Sequence, residues 1–236
     1  MKLKNKVAVV TGASRGVGRA VAQRFAAEGA AVCLCARNGE LLRSVSLEIL
    51  SHGGKATFEQ TDITDERQVL EFVAACTSMW SGIDILVNNA GVLGSRNELA
   101  DYPLTDWQKV FAVNVTGVFL MTKYLIPHFN TGGSIINVSS SVGRTVQPAW
   151  GAYAVSKFAL EGMTKLLAEE LRSRNIRVNS INPGGVATEM RRLAFPQEDP
   201  NTLRKPGEIL DPFVFLASDE SLGITGRAFD AQRFRV

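Results

Sequence analysis

Residues 7–18 admit only a narrow set of folds. Val7-Ala8-Val9-Val10 is a short apolar run of the kind buried in a parallel sheet. Thr11-Gly12-Ala13-Ser14-Arg15-Gly16-Val17-Gly18 follows it, and Ala20, Val21, Phe25 and Ala26 then recur at helical spacing. A strand, a glycine-rich turn and a helix in that order open a mononucleotide-binding βα unit. The glycines let the backbone approach a pyrophosphate and let the helix pack close to the strand. The free N–H groups of the helix N-terminus face the phosphates. The spacing is Gly-x-x-x-Gly-x-Gly, not the commoner Gly-x-Gly-x-x-Gly.

The same alternation continues to the C-terminus. Strands are expected at 31–36, 55–60, 83–87, 134–139, 176–181 and 228–230. Helices are expected at 40–50, 65–80, 105–129, 150–174 and 206–217. Strands alternating with helices imply a parallel sheet covered on both faces. The expected fold is therefore α/β, a Rossmann-type doubly wound sheet with helices on both faces. One domain over 1–236 is expected, since no repeat, low-complexity tract or linker interrupts it. Such sheets bind ligands beyond the carboxyl ends of their strands. Thr11, Arg37, Asp62, Asn88, Ser139, Ser140 and Pro183 each follow an apolar strand, which gathers them there.

Tyr153-Ala154-Val155-Ser156-Lys157 carries the chemistry. A tyrosine and a lysine at i and i+4 share one helix face. A free phenol titrates near 10, too high for an efficient donor at neutral pH, and a neighbouring cation stabilises the phenolate. The pair is a plausible acid/base centre, although the same spacing also occurs in ordinary surface pairs.

Thr11 to Gly18, Asn88-Asn89-Ala90-Gly91, Asn114, Ser140, Tyr153, Lys157 and Pro183-Gly184 occur together and in order. In this the chain resembles the short-chain dehydrogenase/reductase family, in a branch like the 3-oxoacyl carrier-protein reductases, from about Lys6 to about Ala231. The resemblance implies a catalytic set of Asn114, Ser140, Tyr153 and Lys157. Ser140 is chosen over Ser139 and Ser141 because it lies thirteen residues before Tyr153 and three before Gly143. Its hydroxyl would hold the substrate oxygen, to which Tyr153 gives a proton in reduction or from which it takes one in oxidation. Lys157 would lower the tyrosine pKa and bind the nicotinamide ribose. Asn114 would hold a water that relays protons to solvent. The cofactor would lie along Gly12, Ser14, Arg15, Gly16, Val17, Gly18, Asn89, Ala90, Gly91, Pro183, Gly184 and Val186, with Asp62-Ile63 beside the adenine and Thr188 on the carboxamide. The first asparagine of the Asn88-Asn89 pair would brace the sheet. The alternative for the three serines is a set of turn residues bonded to their own backbone. Asn114, inside an apolar helix, is costly unless hydrogen-bonded.

Arg37 ends the second strand where an acidic residue would hold the ribose hydroxyls of NAD, and Arg15 lies in the glycine turn. Two arginines converging on one point favour the 2′-phosphate of NADP(H). The reading is an NADP(H)-dependent oxidoreductase. It would transfer a hydride between nicotinamide and a small-molecule carbonyl or secondary alcohol, such as a ketone or 3-oxoacyl compound. An NAD-dependent secondary alcohol dehydrogenase is one alternative, and a cofactor-binding scaffold without turnover is another. A substrate lid is expected at about 188–205, after Pro183-Gly184. Arg191 and Arg192 within it are either contacts for an anionic substrate or the polar face of a short helix. Trp150 and Val142 are expected to line the pocket.

Several classes are excluded from expectation. A net charge of +3 gives no sign of a nucleic-acid or membrane partner. Cys33, Cys35 and Cys76 have no metal spacing and read as reduced core residues. His52 and His128 belong to no metal motif, so no metal is expected. The N-terminus runs straight into the first strand, and a cytoplasmic protein is expected. Relatives of this kind form homodimers or homotetramers, which is the expected assembly. The tail departs from the family: Phe229-Asp230-Ala231-Gln232 stands where Val-Asp-Gly-Gly is common, and Arg233-Phe234-Arg235-Val236 follows.

Overall fold

The computed structural model describes residues 1–235; Val236 lies outside the described residues. Its strands are β1 (Val7–Thr11), β2 (Ala31–Ala36), β3 (Lys55–Gln60), β4 (Ile83–Asn88), β5 (Phe129–Val138), β6 (Arg177–Asn182) and β7 (Ala228–Asp230). They form one parallel sheet in the order β3-β2-β1-β4-β5-β6-β7. The helices are α1 (Gly16–Ala27), α2 (Gly39–Ser51), α3 (Glu66–Met79), α4 (Leu104–Phe111), α5 (Val118–Leu125), α6 (Gly151–Glu170), α7 (Glu189–Ala194) and α8 (Asp211–Ala217). The doubly wound Rossmann-type architecture expected from the alternation is the one observed.

The two-residue period of the strands sorts their side chains into two cores. On one face Ala8 and Val10, Val32 and Leu34, and Ile85 and Val87 pack with Phe25 of α1, Leu42 of α2 and Phe213 of α8. On the other Val9, Cys33, Cys35 and Leu86 pack with Phe72 and Cys76 of α3 and Met121 and Leu125 of α5. The three cysteines are thus buried, free and in one layer. Burial on both faces explains why the strands read as continuous apolar runs.

Polar residues set where the helices begin and end. Asn38 Oδ1 accepts from Leu41 N at 2.9 Å ahead of α2. Asp65 caps α3 through the N–H groups of Arg67 and Gln68. His52 closes α2 as its C-cap, and His128 lies in a short 3₁₀ turn. No group of side chains able to hold a metal ion occurs among the described residues.

The expected helix at 105–129 is the main departure. It is broken into α4 and α5 by a π-helical turn, Ala112–Gly117, and it closes in a 3₁₀ turn before β5. The stretch Leu104–His128 is long and apolar enough, by length and composition, to cross a membrane. Val110, Val118, Met121 and Leu125 are instead buried inside the protein. The last expected helix also divides, into a 3₁₀ turn at Pro206–Ile209 and α8, because Pro206 and Pro212 each suit the first turn of a helix and not its interior.

Candidate active site

The strand order reverses between β1 and β4, and a cleft of about 1450 Å³ opens at the carboxyl ends there. Every residue singled out from the sequence as catalytic or cofactor-binding lines this cleft, except Gly18 and Asn114. Both exceptions lie just behind its wall. A Cβ on Gly18 would stand 2.3 Å from Asn89 Nδ2 and 2.4 Å from the Gly12 carbonyl, so α1 approaches the turn as only glycine allows. Asn89 then ties β4 to the turn, its Nδ2 donating to the carbonyls of Thr11 at 2.9 Å and Gly12 at 3.2 Å. Thr11 Oγ1 accepts from the N–H groups of Asn89 and Ala90, each at 3.0 Å. Asn88 braces the sheet, with Nδ2 donating to Asn137 Oδ1 at 2.9 Å and to Thr122 Oγ1 at 3.2 Å.

At one end of the cleft Arg15 and Arg37 are both exposed, and neither forms a salt bridge among the described residues. Asp62 beside them is occupied locally, its Oδ1 accepting from the N–H and hydroxyl of Thr64 at 3.0 and 2.8 Å. Open backbone at the glycine turn and two unpaired guanidinium groups fit a dinucleotide with an additional phosphate.

At the other end, α6 presents Tyr153 and Lys157, both buried. The turn carrying Ser140 lies against them. A Cβ on Gly143 would come 2.8 Å from the Lys157 Cβ and 2.9 Å from its carbonyl carbon. Burial pushes the Tyr153 phenol up to about 12, while a hydrogen bond with the Ser140 hydroxyl acts in the opposite direction. Burial pulls the Lys157 ammonium down to about 8, and the Glu161 carboxylate one turn along opposes this. Burial outweighs the favourable influences on the phenolate in this arrangement, so the net shift of Tyr153 is upward. Lys157 Nζ donates to the Val138 carbonyl at 2.7 Å and lies 5.6 Å from the centre of the Tyr153 ring.

Asn114 sits on the π-helical turn and is fully buried. Its Nδ2 donates to the Val92 carbonyl and to Ser156 Oγ, each at 3.0 Å, and its Oδ1 accepts from Val92 N at 2.9 Å. The cost of burying an amide in an apolar helix is thus offset by three hydrogen bonds. A Cβ on Gly91 would stand 3.4 Å from Asn114 Oδ1 and 3.8 Å from Lys157 Nζ, so both groups face the same small space. Of the three serines, Ser139 leaves its buried hydroxyl without a partner among the described residues, while its N–H donates to the Ile181 carbonyl at 2.8 Å.

Thr188 caps α7, its Oγ1 accepting from Arg191 N at 3.2 Å, and it faces Gly16 across the cleft. Of the two readings of Arg191 and Arg192, the structure favours the polar face. Arg191 makes a bidentate pair with Glu198, both contacts at 2.6 Å, and stacks 3.8 Å from the centre of Phe195. Arg192 pairs with Glu189 at 2.6 Å. Trp150 lines the cleft as expected, whereas Val142 is buried behind it, packed with Trp150, Tyr153 and Ala194.

Residues the sequence did not single out complete the surroundings. Arg144, following the serine turn, pairs with Glu161 at 2.8 Å and Asp230 at 3.2 Å, and it also reaches Ser180 Oγ and the Phe229 carbonyl, each at 3.2 Å. Glu161 Oε2 accepts from Ser180 Oγ at 2.6 Å. The serine turn, α6, β6 and β7 are thereby joined behind Ser140, Tyr153 and Lys157. The i+4 spacing of Glu161 from Lys157 was the one signal that could have drawn attention to it. In the atypical tail, Gln232 Nε2 donates to the carbonyls of Pro183 at 3.1 Å and Gly185 at 2.6 Å. Gln232, standing where a glycine is common, therefore holds the Pro183-Gly184 loop.

A sequence profile described as short chain dehydrogenase matches residues 6–199. This chain belongs to the short-chain dehydrogenase/reductase family. It is 40% identical to the oxidoreductase YciK of Escherichia coli K12, over 98% of this chain and 93% of that protein. It is 39% identical to the 3-oxoacyl-[acyl-carrier-protein] reductase FabG of Thermotoga maritima, over 96% of each. A short-chain dehydrogenase of Shigella flexneri 2a, crystallised in complex with NADP, superposes with a TM-score of 0.94 at 39% identity, covering 98% of both chains. The family makes this chain an oxidoreductase.

Proposed function

We propose that this oxidoreductase uses NADP(H) to reduce a ketone, 3-oxoacyl compounds included. The observation that carries the reading is the pairing of two ends of one cleft. Arg15 and Arg37 stand unpaired at one end, while Ser140, Tyr153 and Lys157 converge at the other. Ligand pockets for drug-sized molecules occupy roughly 300–1,000 Å³, so a cleft of about 1450 Å³ takes a dinucleotide and a small substrate together. The Shigella flexneri relative, with NADP bound, supports the cofactor choice.

The cradle at Gly18 and Gly12 would hold the pyrophosphate, and the Pro183–Thr188 loop would border the nicotinamide. Bound there, the cofactor supplies the hydride. The chain supplies the proton and the orientation. Ser140 holds the substrate carbonyl oxygen by a hydrogen bond. Tyr153, fully protonated at neutral pH with its pKa near 12, donates its proton to that oxygen. Lys157, charged below about 8, stabilises the resulting phenolate. Asn114 fixes the backbone at Val92 and the helix at Ser156, which keeps the space around Lys157 open for a proton-relaying water. The residues 188–205 act as the substrate lid. Exposed apolar side chains such as Leu104, Phe119, Phe158 and Leu166 offer apolar area for self-association.

The decisive experiment is a panel of carbonyl compounds with NADPH, followed by loss of NADPH absorbance. Turnover of a ketone supports the reading and excludes a non-catalytic scaffold. Turnover with NADH alone would sink the cofactor assignment.

A further inference from the structure

We propose that Arg96, stacked on the ring of Trp150, forms a second recognition point in the substrate half of the cleft, which takes a carboxylate carried by the carbonyl substrate. The favoured substrates are then oxo acids with a short chain between ketone and carboxylate. The proposal rests on the carbonyl-reductase reading and narrows its substrate class.

Arg96 belongs to the loop after β4 and is held in place on three sides. Its guanidinium carbon lies 4.6 Å from the centre of the Trp150 ring and 5.3 Å from that of Phe195. One NH1 hydrogen is donated to the Ala194 carbonyl, at 2.9 Å, where α7 ends. A guanidinium has five N–H donors, and Arg96 forms no salt bridge among the described residues. Arg191 and Arg192 of the neighbouring lid are paired with Glu198 and Glu189. Arg96 is therefore a cation fixed in direction with most of its donors unused, and a planar fork of donors matches a carboxylate.

Trp150 is 6% exposed, and its Nε1 has no hydrogen-bond partner among the described residues. That nitrogen is itself sealed from solvent, so Trp150 serves the site through its ring, over which Arg96 is stacked, and not as a donor to the ligand. The Trp150 ring centre lies 5.8 Å from that of Tyr153. A carboxylate on Arg96 would thus stand one indole ring away from the reacting carbonyl. The wall between the two points is apolar, made by Leu93, Trp150 and Ala194. Lys109 lines the same cleft without a salt-bridge partner among the described residues. Asp106, also on this wall, accepts from Ser95 N at 3.1 Å.

The test compares levulinate with its methyl ester as substrates with NADPH, in the parent and in Arg96→Gln and Arg96→Lys. A charge-assisted hydrogen bond to a carboxylate corresponds to about tenfold or more in affinity. The parent should prefer the acid over the ester by at least that factor in kcat/KM, chiefly through KM. In Arg96→Gln the ratio should collapse towards one, and Arg96→Lys should keep part of it. A ratio near one in the parent, or a ratio that Arg96→Gln leaves intact, overturns the proposal. Binding gives a readout that does not depend on turnover. Glutarate, which has no ketone to reduce, should change the tryptophan fluorescence saturably in the parent and not in Arg96→Gln. No saturable change in the parent overturns the carboxylate site. If glutarate binds while no ketone turns over, the site stands and the carbonyl-reductase reading fails.

Discussion

Lys157 directs its ammonium at the backbone carbonyl of Val138, 2.7 Å away, and not at the phenol one turn before it. The lysine is thereby tied to the end of β5, the strand that leads into the serine turn. Burial holds it near 8 and Tyr153 near 12, so neutral solution leaves the acid loaded and the cation charged. This is the protonation state that the proposed reduction requires.

The pH profile follows from these values. The kcat/KM for ketone reduction reports the free enzyme. It should be level below about pH 8 and fall as pH rises through the Lys157 value, because the neutral amine no longer stabilises the phenolate. Glu161→Gln removes the carboxylate that holds the proton on Lys157, so the falling limb should move to lower pH. A limb unmoved by that change would show that Glu161 does not act on Lys157.

Tyr153→Phe keeps the ring against Trp150 and removes the proton donor. General acid catalysis contributes about a hundred- to ten-thousandfold. A loss of kcat of that order is expected, with melting temperature and NADPH affinity nearly unchanged. Turnover within a few-fold of the parent would dismiss Tyr153 as the acid.

Cofactor preference should rest on Arg15 and Arg37. Each charge-assisted bond to the 2′-phosphate contributes about 1.5–3 kcal/mol, roughly tenfold or more in affinity. NADPH should bind more tightly than NADH, and salt should erode the difference, since both arginines are exposed. Arg37→Asp should reverse the order. Fluorescence titration of both cofactors decides it, and equal affinities in the parent would refute the assignment.

Gln232→Ala deletes two hydrogen bonds to the loop at Pro183 and Gly185. At a net of about 0.5–1.5 kcal/mol each, the melting temperature should drop by several degrees. NADPH should bind several-fold more weakly, while its preference over NADH persists because Arg37 is untouched. Calorimetry and the same titration check both parts, and an unchanged dissociation constant would leave the tail without a part in cofactor binding.

The sequence made the sheet and the cofactor end legible because both are written in local patterns. Apolar runs on β1, β2 and β4, and glycines at tight approaches, need no knowledge of distant residues. The protonation chemistry was only partly legible. An i,i+4 spacing shows that Tyr153 and Lys157 share a face, but not that the ammonium turns to Val138, a residue brought near by the sheet. Arg96 and Arg144 escaped notice, and Gln232 stood out only as a departure in the tail, for a related reason. Their partners Trp150, Asp230 and Pro183 are far away along the chain, and an isolated arginine or glutamine carries no period. Arg191 and Arg192 stood out as a basic pair in the lid, yet both are neutralised by nearby glutamates.

The π-helical turn at Ala112–Gly117 has a consequence for how this protein tolerates change. A π turn holds one residue more than the α-helix around it, and such turns frequently mark functional sites. Deleting a residue there would let α4 and α5 merge into one regular helix, and later side chains would rotate by about 100° relative to earlier ones. The backbone would lose an irregularity, whereas Asn114 would be pulled out of register with Val92 and Ser156. Evolution towards a sturdier scaffold and evolution towards the proposed proton path would therefore press in opposite directions on this single surplus residue.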